Sequence, residues 1–491
     1  MITTGLQLFK LLPDDGAEED RFGVSVGISG TTAIVGARLD DDENNGIDSG
    51  SAYLFSAVID IEFDPPEVFE AVGEPNKQAV ADFTGDTTND VVVAVPGDDP
   101  LLTGAVQVFL NQGIDEFDEW LGLTSLKSIP VGREPSGVAV GLFNKDEFVD
   151  FAVSNAGDNN VLVFINQGNG KGMFNQLPPI DVGQRPSDVI AGEFSGDGFI
   201  DLAVANADDN NVWILVNDGS GGFVKGAMLP TNGLFPIAIE PEDVDDGKDE
   251  DIVGVNGLVA PGFKGNTPGS VFVLINNGDG TFQPAVTYEI GIGPADISVG
   301  DLNHDNFAEI VVVNNTDATV SVLVNQGDGT FITGKALPVG DAPTSIEVTD
   351  LDADGDLDLA IVAVDIEIGP SVQVIQNVGV DPGELFFDDP LAFGVDADPN
   401  FVVSADFNED FIQDLVTVNA DEGASGGSVT VLINVQCPWD LDESGTVSTT
   451  DLLMLFAQWV TNPGGPPDFN GDGIIDTVDI LILFANWGLC P

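Results

Sequence analysis

Val106-Gln-Val-Phe-Leu-Asn111 alternates its side chains and stops at an asparagine, and the phrase returns as Val161 to Asn166, Val212 to Asn217, Val271 to Asn276, Val322 to Asn325, Val372 to Asn377 and Val429 to Asn434. Alternation with a period of two, closed by turn residues, marks a β-strand. Several copies run straight into a glycine turn, as in Gly278-Asp-Gly-Thr-Phe282 and Gly327-Asp-Gly-Thr-Phe331, which is a hairpin signal. Upstream lie two more strands, such as Ser345-Ile-Glu-Val-Thr and Leu359-Ala-Ile-Val-Ala, with an Asp-rich loop between them. Downstream a variable fourth strand leads to a Gly-x-x-x-Pro turn, at Gly132 to Pro135, Gly183 to Pro186, Gly291 to Pro294 and Gly340 to Pro343. Four antiparallel strands repeating every 50 to 60 residues or so describe propeller blades.

Strand sets beginning near residues 24, 78, 137, 188, 236, 296, 345 and 402 predict an all-β, eight-bladed β-propeller over residues 1–435, with seven blades as the alternative. The last set lacks a fourth strand, and Leu6 to Leu12 reads as the orphan that closes the ring. Residues 436–491 change to helical spacing and form a second, small domain.

The 491 residues include 13 Lys+Arg against 83 Asp+Glu, a formal charge of −70 that repels nucleic-acid phosphates and anionic lipid surfaces. With 43% apolar residues in strand-like runs, the acidity does not read as disorder. Cations are the natural partners of such a chain. No apolar run approaches the roughly 18 residues of a membrane span, so no membrane insertion is expected. Residues 1–25 show no basic segment followed by an apolar core, and export to an extracellular location is an inference from the rest. The cysteines, Cys437 and Cys490, bracket the last segment and suit a disulfide clasp better than a redox or zinc site.

Phe22-Gly-Val-Ser-Val26, Ala33-Ile-Val-Gly-Ala37, Asp40-Asp-Asp42 and Gly50-Ser-Ala-Tyr-Leu-Phe55 resemble the FG-GAP repeat of integrin-α-type propellers, and the later units resemble the related VCBS repeats. The resemblance covers most of the chain to residue 435. It implies the fold firmly and the function weakly, because one scaffold serves adhesins, lectins, enzyme appendages and matrix proteins.

Between the first and second strands, seven of the eight units place oxygen-bearing residues at alternate positions. The fullest is Asp350, Asp352, Asp354, Asp356 and Asp358. Such spacing in a tight loop turns the first, third, fifth and ninth side chains, with the seventh carbonyl, toward one point, matching the six to eight oxygens that Ca²⁺ takes. The same pattern gives Asp82, Thr84, Asp86 and Asp90; Glu193, Ser195, Asp197 and Asp201; Asp301, Asn303, Asp305 and Glu309; and Asp406, Asn408, Asp410 and Asp414. Two loops depart from it and are expected to bind weakly or not at all. One has Leu142 in first place before Asn144, Asp146 and Asp150; the other has Asp243, Asp245, Asp249 and Asp251 around Gly247. Several Ca²⁺ ions per chain are predicted, with a structural role, since clustered carboxylates repel until a divalent ion compensates them.

The tail holds two 12-residue loops of EF-hand type, 28 residues apart. The first offers Asp440, Asp442, Ser444, Thr446, Ser448 and Asp451, and the second Asp468, Asn470, Asp472, Ile474, Asp476 and Asp479. The serines at 444 and 448 should weaken the first site. Each loop enters an apolar helix, Leu452 to Trp459 and Ile480 to Trp487. This duplication resembles a type I dockerin domain, which implies docking onto a cohesin-like module or another surface protein.

Catalysis finds little support in the residues. Gly423-Ala-Ser425-Gly-Gly427 matches a nucleophile elbow, but the one histidine, His304, stands in a calcium-type loop, so no Ser-His-acid triad is expected. A glycosidase needs only two carboxylates, yet few aromatics, Tyr53, Tyr288, Trp120 and Trp213, are available before the tail as a sugar platform. The reading is a secreted, non-catalytic, calcium-binding adhesion or binding protein whose propeller recognises a protein or glycan. A self-assembling surface layer or filament is the alternative, and a polysaccharide-active enzyme the lesser one.

Overall fold

The computed structural model describes residues 61, 63–97, 103–114, 120–245, 247, 249–257, 268–366, 368–378, 385–420 and 426–435. It also describes the backbone of strands Arg21–Ser29, Thr32–Arg38, Ser51–Ser56, Thr446–Val447 and Gly488–Leu489, with Leu452 and Leu483.

Seven four-stranded antiparallel blades make one ring. Blade 1 is built from Lys77–Ala81, Asp90–Val95, Ala105–Asn111 and Leu123–Ser125. The first three strands of blade 2 are Pro135–Gly141, Asp150–Asn155 and Asn160–Asn166, and those of blade 3 are Pro186–Gly192, Asp201–Asn206 and Asn211–Asn217. Blade 4 begins with Pro236–Glu242, Asp251–Asn256 and Pro268–Leu274, and blade 5 with Pro294–Gly300, Glu309–Asn314 and Thr319–Asn325. Blade 6 begins with Asp341–Thr349, Asp358–Asp365 and Gly369–Ile375, and blade 7 with Pro399–Ala405, Asp414–Asn419 and Ser428–Leu432.

The eight-blade expectation is corrected to seven. Among the described residues, the strands of the first repeat, Arg21–Ser29, Thr32–Arg38 and Ser51–Ser56, pair only with one another, and they fall in a separate compact unit. The closing strand is also corrected: Glu67–Glu70 pairs with Ser428–Leu432 to complete blade 7, while Leu6 to Leu12 lies outside the described residues. The strand grammar of the first repeat is that of a blade, but the ring closes without it.

Second strands depart from simple alternation. All six residues of Asp90–Val95, Asp150–Asn155, Asp201–Asn206, Asp251–Asn256, Glu309–Asn314 and Asp414–Asn419 are buried, because each lies between neighbouring blades. Val91, Val93 and Val95 pack on Val416, Val418 and Val429 of blade 7, whereas Val92 packs on Phe151 and Val153 of blade 2. Period two therefore sends alternate residues into the two inter-blade cores, each fully buried valine contributing roughly 1.5 kcal/mol or more.

Asparagine ends the third strands for a reason that joins blade to blade. In every blade its Nδ2 donates to a carbonyl of the preceding blade: Asn166 to Phe83 (2.9 Å), Asn217 to Phe143 (2.8 Å), Asn276 to Phe194 (3.5 Å), Asn325 to Val244 (3.0 Å), Asn377 to Leu302 (2.7 Å) and Asn434 to Leu351 (2.7 Å). Asn111 completes the circuit onto Phe407 of blade 7 at 2.8 Å.

Candidate functional site

Each Asp-rich loop joins a first strand to a second, so all seven lie on one face of the ring. The ninth residue anchors the loop. Asp90, Asp150, Asp201, Asp251, Glu309, Asp358 and Asp414 are fully buried. One oxygen of each accepts the N–H of the loop's second residue, as Phe83 to Asp90 at 2.9 Å, and the other accepts the N–H of the third-strand asparagine, as Asn111 to Asp90 at 2.9 Å. Burial raises six of them against those hydrogen bonds, to about 7 at Asp90, Asp251 and Glu309, to about 6 at Asp150, and upward at Asp201 and Asp414. The ninth residue, predicted as a metal ligand, is thus first a backbone cap.

First-position carboxylates fold over their own loops. Asp82 accepts from Thr84, Gly85 and Thr87, Glu193 from Gly196 and Asp197, Asp301 from Asp305 and Asn306, and Asp406 from Asp410 and Phe411, at 2.6–3.2 Å. At the fifth position Asp86, Asp146, Asp197, Asp305 and Asp410 each accept the seventh residue's N–H at 2.8–3.1 Å. Asn144 and Asn408 donate Nδ2 to Asp146 and Asp410, and Asn303 donates to Glu309. Ser195 sits in the blade 3 loop.

Among the described residues, carboxylate oxygens converge within 4.8 Å in two loops: Asp243, Asp245 and Asp251 in blade 4, and Asp350, Asp352 and Asp358 in blade 6. Either set is able to hold a metal ion. The blade 6 set is the one with the fullest sequence pattern. Blade 4 differs from the sequence ranking, which placed it low because Gly247 holds the fifth position. Instead the Gly247 N–H donates to both Asp243 (3.1 Å) and Asp245 (2.9 Å), and draws them together without a fifth side chain. Asp249 stands at the seventh position beside Gly278, Asp354 donates its N–H to Asp352, and Asp356 meets the His304 Nε2 of the neighbouring loop.

The EF-hand-type residues Asp440, Asp442, Ser444, Ser448, Asp451, Asp468, Asn470, Asp472, Ile474, Asp476 and Asp479, the pair Cys437 and Cys490, and Ser425 lie outside the described residues. Thr446 pairs with Leu489, and Val447 with Gly488, in a short antiparallel ladder.

A second charged site lines the axis of the ring, and sequence reading missed it. Lys77, two residues after Pro75, reaches Asp296 of blade 5 at 3.8 Å and lies 3.8 Å from the ring centre of Phe401 of blade 7. Asp188 accepts the N–H groups of Val189 and Ile239, and Asp296 accepts the Ser345 hydroxyl at 2.7 Å. A Cβ on Gly137 would stand 2.7 Å from the Asp188 Oδ1, so glycine there makes room for the carboxylate. Glu347 accepts the Ser404 hydroxyl at 2.9 Å. Burial disfavours the Lys77 ammonium, but Asp188, Asp296 and Glu240 more than offset this and raise its pKa. Burial also raises Asp188 and Asp296, pushes Glu240 well above the carboxylate range, and brings Glu347 to about 7. The available signal was the shared position in Pro75-x-Lys77, Pro186-x-Asp188 and Pro294-x-Asp296.

Residues 6–55 match the model of the FG-GAP repeat, and residues 143–204, 243–312 and 301–361 match that of the FG-GAP-like repeat. The chain carries FG-GAP repeats. The FG-GAP-like matches fall within the seven-bladed β-propeller, whereas residues 6–55 fall in the separate compact unit. No curated protein matches it. Among solved structures, BBS1N in complex with ARL6DN is similar with a TM-score of 0.49 and 12% identity, over 76% of this chain and 96% of that one. The periplasmic gluconolactonase PpgL of Pseudomonas aeruginosa gives 0.46 and 13%, over 73% and 91%. Virginiamycin B lyase from Staphylococcus aureus gives 0.43 and 12%, over 75% and 100%. Identities this low carry no ligand and no reaction over to this chain.

Proposed function

We infer that the FG-GAP propeller is the recognition module of a secreted, calcium-stabilised, non-catalytic binding or adhesion protein. The observation that supports this best is the convergence of Asp243, Asp245 and Asp251 in a loop whose counterparts repeat around one face. Three carboxylates within 4.8 Å repel one another when ionised, and a divalent cation turns that repulsion into stabilisation. An all-oxygen set suits Ca²⁺ better than a softer metal. The dockerin-like tail, by its resemblance, attaches the propeller to a cohesin-like module or another surface protein.

Thermal unfolding of the whole chain in millimolar calcium and in chelator, with native mass spectrometry, tests this reading. A calcium-dependent rise in Tm with several ions bound supports it. Equal melting in both conditions sinks the calcium reading, and calcium-dependent polymers of the pure protein would favour self-assembly over docking.

A further inference from the structure

A cavity of about 420 Å³ opens on the face opposite the Asp-rich loops, where the first strands begin. Its size falls within the roughly 300–1,000 Å³ usual for small-ligand pockets. Lys77, held by Asp296 and Phe401, is part of its lining, and Arg185 is another.

The wall is made by one position of the repeat. The residue after the first-strand proline donates to the next blade's proline carbonyl from Asn76 (3.1 Å), Ser136 (2.7 Å) and Ser187 (2.6 Å). In blades 4 and 5 that position holds Ile237 and Ala295, which have no such donor, and both face the cavity. One side of the pocket is therefore polar and the other apolar.

The charge of the lining departs from that of the chain. Basic residues number 13 in 491, against 83 acidic ones, yet Lys77 and Arg185 are two of the 12 lining residues and Glu134 is the single acid. Lys77 is already committed to the axial carboxylates. Arg185 is not: its side chain is 61% exposed, and its nearest ion partner, Asp208, is 3.8 Å away and 48% exposed, a pairing of little strength. Its backbone is fixed independently, by the N–H donating to the Asn159 Oδ1 at 2.7 Å.

The geometry points to a ligand-binding pocket at this mouth of the ring, in which the Arg185 guanidinium takes the carboxylate of a compact monoanionic ligand while Ile237 and Ala295 cover its carbon body. A fork of N–H donors suits a carboxylate, and Glu134 in the lining disfavours a second negative charge on the ligand. This deepens the proposed binding function by giving it a place and a ligand class, and it rests on that reading.

Calorimetric titration of the whole chain in calcium with sodium galacturonate, galactose and N-acetylalanine tests it. Saturable binding of a carboxylate, at least about tenfold weaker for galactose and at least about tenfold weaker in Arg185→Gln, is the expected result. Galacturonate and N-acetylalanine separate a sugar acid from a peptide terminus as the source of the carboxylate. An unchanged Tm in Arg185→Gln verifies the fold. Equal binding of galactose, binding indifferent to Arg185→Gln, or no binding of either carboxylate at millimolar concentration would overturn it. None of these outcomes alters the calcium-dependent melting, so the pocket and the calcium reading fail separately.

Discussion

The Asn111 Nδ2 donates to the Phe407 carbonyl at 2.8 Å across 296 residues of sequence, joining the first blade to the last. Both groups are buried, so losing the amide strands an acceptor away from water. Asn111→Ala is expected to cost about 1–3 kcal/mol in urea unfolding. Asn217→Ala, which breaks the equivalent bond between blades 2 and 3, should cost a similar amount; a neutral effect at both would show the amide ring to be incidental.

Positions within one carboxylate loop should separate into metal-holding and fold-holding. Asp245→Asn is expected to lower the bound calcium by one ion while leaving the melting temperature in chelator unchanged. Asp251→Asn places an amide N–H where the Val244 or Asn276 N–H now donates, and should destabilise with or without calcium. Native mass spectrometry and melting with and without chelator read the two effects.

Glu347 titrates at about 7 in the folded chain, above the 4.5 of an unperturbed Glu, because burial disfavours its charge. The folded state then binds more protons than the unfolded state between those values, so this group makes stability fall as pH rises from about 4.5 to 7. Glu347→Gln keeps an oxygen for Ser404 and removes the charge. It should be nearly neutral at pH 5 and stabilising by roughly 1–3 kcal/mol at pH 8. A loss of stability at pH 8 would mean that the carboxylate is needed in its ionised form.

Lys77 is the counter-charge for Asp188 and Asp296. Lys77→Met leaves both without it, and breaking a buried pair of this kind costs about 3–5 kcal/mol. The loss should shrink at low pH, where the two acids accept protons. A loss of equal size at pH 5 and pH 8 would assign the role of Lys77 to its packing on Phe401.

The repeat, the blade and the loop spacing were legible because each obeys a local rule. The asparagine that ends each third strand was visible as punctuation, but its partner lies in the preceding blade, a distance no local rule spans. Ring size was not legible: Phe22 to Phe55 has a blade's alternation, while the true closing strand, Glu67-Val-Phe-Glu70, is short and mostly exposed. Lys77, Asp188 and Asp296 escaped notice because period-two alternation does not tell a residue facing the axis from one facing a neighbouring blade. The Asp-rich loops showed their oxygens but not their backbone N–H groups, so the double capping by Asp90 and its equivalents was invisible.

Closure of blade 7 by Glu67–Glu70 has a mechanical side. The strand runs antiparallel to Ser428–Leu432, with Glu67 opposite Val431, so the chain enters and leaves the ring at one end of a single strand pair. Tension applied between the two exits opens that pair like a zipper, beginning at the Phe63–Asn434 bridge and the bond from the Asp64 N–H to the Ile433 carbonyl, and breaks contacts one at a time rather than all at once. A tether attached at residues 63 and 435 would therefore yield by graded peeling of that one strand pair.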